Sequence, residues 1–149
     1  MEKNAEELFK KGYNCAQSVF CAHCEKNGIN FETGLKLTSS FGGGMGRLRE
    51  VCGAVTAMFM LIGLKEGYTS FNDDTAKQKH YEKVQNLAKK FKDKFGSIIC
   101  RELLNLKNNE NSSPKPTNRT EEFYKTRPCE SFIKFASELI EKELNTNKK

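Results

Sequence analysis

Residues Phe41–Leu64 read FGGGMGRLREVCGAVTAMFMLIGL. Gly42, Gly43, Gly44 and Gly46 leave the first part almost bare of side chains. From Val51 to Leu64 the chain is nearly continuously apolar, the pattern of a buried helix. Glycine lets backbone adopt left-handed conformations and approach other groups closely. Cys52 stands at the junction, so its thiol belongs to a helix start.

Outward from this stretch nearly every segment carries helical signals. AEELFKK is a short helix stopped by Gly12. NCAQSVFCAHCEKNG has Asn14 as cap and Gly28 as terminator. FETGLKLTSSF holds a third short helix. A long amphipathic helix begins at Asp73 or Asp74, with Tyr81, Val84, Leu87, Ala88, Phe91 and Phe95 on its apolar side. Gly96 interrupts it, and Ser97 can cap the next piece, IICRELLNL. Residues 107–120, with two prolines, read as a flexible exposed loop. A last helix runs from about Pro128 to Leu144, burying Phe132, Ile133, Ala136, Leu139, Ile140 and Leu144, and residues 145–149 read as a disordered tail. The expected fold is all-α, a compact irregular helical bundle of about five to six helices, with residues 1–149 as a single domain.

The 149 residues suffice for one core. The N-terminus MEKNAEELFK lacks an apolar signal region, and the apolar run AVTAMFMLIGL falls short of the roughly 20 residues of a membrane span. These features predict a cytoplasmic protein with no membrane partner. The net charge of +6 is spread along helices among 19 acids, without a basic-aromatic block, which argues against nucleic acid. Apolar surface left over from the bundle allows a homodimer.

Six cysteines in such a chain, Cys15, Cys21, Cys24, Cys52, Cys100 and Cys129, call for explanation. A reducing compartment disfavours structural disulfides, leaving metal or cluster ligation, thiol redox chemistry, or packed small side chains. Cys15 follows the cap Asn14, Cys52 follows the glycine loop, Cys100 lies just after Ser97, and Cys129 follows Pro128. All four fall in or near a first helical turn, where free N–H groups and the helix dipole favour anions and lower a thiol pKa. Cluster sulfide would be favoured there for the same reason. Gly42, Gly43, Gly44 and Gly46 would let backbone and its N–H groups approach the sulfur.

Cys21 and Cys24 form a CAHC pair inside a helix, read as packed or auxiliary thiols. Glu25, where a c-type haem motif needs histidine, excludes the usual covalent haem attachment. His23 and His80 have no partner motif, Met45, Met58 and Met60 read as core filler, and no Ser-His-Asp, HExxH or P-loop pattern occurs.

The segments AEELFKKGYNCAQSVF, FGGGMGRLREVCGAVTA, FGSIICRELLN and RPCESFIKFASELIEKEL come in an order that resembles the C_GCAxxG_C_C family of redox-active proteins. Its members carry four defining cysteines and a CGAxxG motif. The matching positions are Cys15, Cys52, Cys100 and Cys129, with Cys52-Gly53-Ala54-Val55-Thr56-Ala57 as the motif, its closing glycine replaced by Ala57. That replacement predicts slightly looser packing there. The family is similar to a domain of certain di-haem cytochromes of sulfate reducers in which an iron–sulfur cluster accompanies the haems. The resemblance therefore implies that the four cysteines bind an iron–sulfur cluster, [2Fe–2S] or [4Fe–4S], with Gly43, Gly44, Gly46 and Gly53 close to it, for electron transfer or redox sensing with an unknown redox partner. The alternatives are a metal-free thiol–disulfide protein and a structural zinc module.

Overall fold

The computed structural model describes residues 4–106 and 113–145. Among them the fold is all-α: α1 Ala5–Lys11, α2 Cys15–His23, α3 Phe31–Thr38, α4 Gly53–Glu66, α5 Asp74–Phe95, α6 Cys100–Leu103, α7 Glu121–Thr126 and α8 Cys129–Leu144, with 3₁₀ turns at Glu25–Asn27 and Ser39–Phe41. The boundaries follow the caps. Asn14 and Gln17 form a reciprocal capping box on α2, Asp73 accepts from Ala76 N–H at the start of α5, and Gly12 and Gly96 end α1 and α5 in left-handed conformations.

Eight helices exceed the expected five to six. The main omission is α7, hidden beside a polar loop and only six residues long; Thr120 caps it by accepting from Phe123 N–H. The loop expected at 107–120 falls partly outside the described residues, at 107–112, as do residues 146–149 of the expected tail. Residues 113–120 carry no helix. They are anchored all the same: Arg119 donates to the carbonyls of Phe9 at 2.8 Å and Tyr13 at 2.9 Å. Its guanidinium lies 4.4 Å from the centre of the Phe9 ring.

α4 is the central helix. It is apolar all round, as a helix covered on every side must be, and packs on α2, α8 and α5. Ala54, Val55, Ala57, Met58, Leu61 and Ile62 are fully buried. Each of the larger ones contributes roughly 1.5–3 kcal/mol by leaving water. Ala57, in the place of the motif's glycine, is accommodated in this core. The α5 stripe is only partly buried: Leu87 and Phe91 are in the core, whereas Tyr81 is exposed and meets the Tyr68 hydroxyl at 2.7 Å. On α8, Phe132, Ile133, Ala136 and Ile140 are buried, while Leu139 and Leu144 pack at the margin. No helix among the described residues is long and apolar enough to cross a membrane.

A candidate redox centre at four helix starts

The four cysteines of the motif stand where their helices begin. Cys15, Cys100 and Cys129 are the first residues of α2, α6 and α8, and Cys52 immediately precedes α4. Three local features bring these ends together.

The first is backbone pairing. Val51 and Ile99 form an isolated antiparallel bridge; Cys52 N–H donates to Ile98 C=O at 2.8 Å and Cys100 N–H to Glu50 C=O at 2.6 Å. This ties the approach to α4 to the approach to α6. The second is Gly53. A Cβ there would come within 2.9 Å of Ala16 N and 3.2 Å of the Cys15 Cβ, so only glycine lets the start of α4 lie against the start of α2. The third is the glycine loop. Gly43, Gly44, Met45, Gly46, Arg47 and Arg49 all have positive φ, a tight left-handed run closed by Arg49 N–H to Gly43 C=O and Glu50 N–H to Gly44 C=O. At Gly44, φ is +71° and a Cβ would meet the Cys100 Cβ at 2.6 Å.

As a result Cys15, Cys52, Cys100 and Cys129 line one cavity of about 30 Å³, walled also by Gly43, Gly44 and Gly53. Gly46 lies outside it, on a neighbouring cleft of about 460 Å³ that reaches Cys15 and Cys129. Cys52, Cys100 and Cys129 are buried, and Cys15 is half-buried. All six cysteines are free thiols.

The expectation of four acidified thiols is corrected. Only Cys129 is lowered: it accepts a hydrogen bond from the Cys15 thiol, against the opposing effect of burial, with Arg127, Arg119 and Arg49 adding positive charge. Cys15 is raised well above the ordinary cysteine range, first because it donates that bond, then by burial and by repulsion from the other three sulfurs. Burial pushes Cys52 up to about 12, although the N–H groups of Ala54 and Val55, in the first turn of α4, favour its thiolate. Burial likewise raises Cys100, opposed by the Arg49 guanidinium, whose Nη1 donates to Cys100 Sγ at 3.6 Å. The helix starts do act on the sulfurs, but desolvation outweighs them at three of the four.

Arg49 itself was not singled out in the sequence. It is 3% exposed and carries the only buried guanidinium among the described residues. Its left-handed φ of +64° follows from the glycine run beside it, the one signal that marks the segment as specially shaped. Cys21 and Cys24 are elsewhere. Both are buried against α3, where a Cβ at Gly34 would come within 2.9 Å of Cys24 Sγ and 3.0 Å of Cys21 Sγ. Burial, then repulsion from Cys24, pushes Cys21 up to about 12. His23 between them is buried too, its Nε2 2.9 Å from the Ser137 hydroxyl of α8.

No three Cys, His, Asp or Glu side chains among the described residues are arranged to hold a single metal ion. No curated protein and no solved structure matches the chain. A family model described as "Putative redox-active protein (C_GCAxxG_C_C)" matches residues 13–143. That span contains all four cysteines of the cavity, and the chain belongs to this family.

Proposed function

We propose that Cys15, Cys52, Cys100 and Cys129 bind an iron–sulfur cluster and that the protein works in electron transfer or redox sensing. The observation that carries this reading is the convergence of four thiols, from four separate helix starts, on one cavity. Four cysteines are the usual ligand set of such clusters. A lone zinc ion would need its sulfurs about 2.3 Å from one point. Metal analysis separates the two: iron with sulfide for a cluster, one zinc per chain for a single ion. The cavity of about 30 Å³ would have to widen to seat a cluster.

The cluster would supply a one-electron centre. The residues around it bind and tune. Thiols that burial keeps protonated release protons on ligation, because a metal-bound cysteine is a thiolate. Ala54 and Val55 N–H groups face the Cys52 sulfur, and Arg49 faces Cys100, so positive charge and N–H donors offset the thiolates. Burial of three of the sulfurs limits water. Purification without oxygen, followed by iron and acid-labile sulfide analysis, tests the reading: iron and sulfide in equal amounts, with visible absorption, support it, and colourless iron-free protein after anaerobic reconstitution removes it.

A second reading rests on Cys15 and Cys129, which line the same cavity, one thiol raised and the other lowered. A lowered thiol beside a protonated one is the arrangement of a dithiol redox pair. Loss of two electrons and two protons to a disulfide-bearing oxidant would join their sulfurs while reducing that disulfide to two thiols. Mass spectrometry of the iron-free protein after treatment with oxidised glutathione would show a Cys15–Cys129 linkage if this pair cycles.

A further inference from the structure

The geometry points to the cleft beside Cys15 and Cys129 as a binding site for a small organic anion, one with a carboxylate or phosphate head on a flat apolar body. The cleft holds about 460 Å³, within the range of small-molecule sites. Arg47, Arg49, Arg119 and Arg127 all line it, and among the described residues no aspartate or glutamate does. These cations come from distant parts of the chain: two from the left-handed loop, one from the segment before α7, one from the junction of α7 and α8. Four guanidiniums around one concavity favour an anion there. The fork of a guanidinium also matches the two oxygens of a carboxylate or phosphate.

The arginines are held in place by the chain. Arg47 Nε donates to Ser113 C=O at 2.6 Å and its Nη1 to Thr117 Oγ1 at 3.0 Å; Arg119 is fixed on the carbonyls of Phe9 and Tyr13. Such preorganisation lowers the entropy lost on binding. Pro114 and Pro116, both exposed, and the half-buried Phe123 give the same cleft an apolar wall, which accounts for the flat body. Cys15 and Cys129 line both this cleft and the thiol cavity, so an occupant would sit next to the redox centre. The competing account is that the arginines only balance charge on the thiols or on a cluster. The anion site does not depend on the cluster, because it is a property of the metal-free chain.

Benzoate and inorganic phosphate should be titrated into the full-length reduced, metal-free protein at constant ionic strength, reading amide shifts of Gly43, Gly46 and Arg119 by NMR. Saturable shifts at these residues, with Lys89 and Lys92 unmoved, are expected for benzoate. Phosphate should compete with it. Arg47→Gln and Arg127→Gln should each weaken benzoate binding by about tenfold, the loss expected for one charged hydrogen bond. Arg119→Gln is unsuitable because Arg119 holds the part-buried Phe9 and Tyr13 carbonyls; Arg47 holds only the exposed Ser113 carbonyl, so a fold check suffices for Arg47→Gln. Shifts that chloride reproduces, shifts spread over the lysine-rich surface, or affinity unchanged in both variants of confirmed fold would overturn the proposal. Absence of iron from the purified protein would bear on the cluster alone.

Discussion

Cys15 and Cys129, the first residues of α2 and α8, line the same cavity although more than a hundred residues separate them in sequence. Their contact raises the Cys15 thiol and lowers Cys129, whose thiolate Arg127, Arg119 and Arg49 also favour. In the reduced, metal-free protein at neutral pH, Cys129 should therefore react first with iodoacetamide, since the thiolate is the nucleophile. It also lines the open cleft, whereas Cys21, Cys24 and Cys52 are deeper. Cys15→Ala removes the donor and should slow labelling of Cys129 severalfold. Peptide mapping over a time course reads the order; faster labelling of Cys21 or Cys52 would contradict it.

The glycine loop gives a stability prediction. Gly44→Ala places a methyl 2.6 Å from the Cys100 Cβ at φ +71°. The cost should be on the order of 2–5 kcal/mol, from left-handed strain plus overpacking. Gly28 has φ +92° but nothing within 4 Å of a new Cβ. Gly28→Ala should cost only about 1–2 kcal/mol, from strain alone. Urea unfolding of the metal-free protein distinguishes them, and equal costs would mean that Gly44 is not wedged against the thiol cavity.

Much of this arrangement could be read from residue order. Asn14, Asp73, Gly12 and Gly96 mark helix ends through local hydrogen bonding and backbone freedom, and local signals survive folding. The same logic put four cysteines at helix starts. What escaped is what only tertiary structure creates. The Val51–Ile99 bridge joins two segments that each look like the edge of a helix. The four arginines of the cleft are scattered in sequence, and no local pattern joins them. The thiol acidities were read from the helix dipole, yet the burial that outweighs it at Cys15, Cys52 and Cys100 is a property of the assembled core. Helix α7 was missed because six residues carry too little periodicity to stand out from a polar loop.

Burial of Cys52 also sets a pH dependence. Its folded pKa is about 12, against about 8.5 for a free cysteine. A raised folded pKa means that the fold favours the protonated thiol. This contribution to stability is complete below about pH 8.5 and is lost progressively as pH rises toward the folded value. Urea unfolding of the reduced, metal-free protein should show falling stability between about pH 8.5 and 10, and Cys52→Ala should flatten that decline. An unchanged slope in the variant would contradict the assignment.

Arg49 offers a test of tuning. Its guanidinium is buried and touches Cys100 Sγ at 3.6 Å. A fixed positive charge stabilises the reduced, more negative state of any centre held by these thiols. Arg49→Met should shift the midpoint potential of the reconstituted protein in the negative direction, read by protein-film voltammetry alongside a circular dichroism check of the fold. A positive shift would show that Arg49 does not act electrostatically on the centre.

The most direct measurement is the iron-to-chain ratio of six single Cys→Ser variants, reconstituted under anaerobic conditions and checked for helical content. Cys15→Ser, Cys52→Ser, Cys100→Ser and Cys129→Ser should each lose most of the iron held by the unaltered protein, while Cys21→Ser and Cys24→Ser retain it. Iron that persists in all four of the first set, or that is lost equally from all six folded variants, would contradict a cluster held at the meeting of these four helix starts.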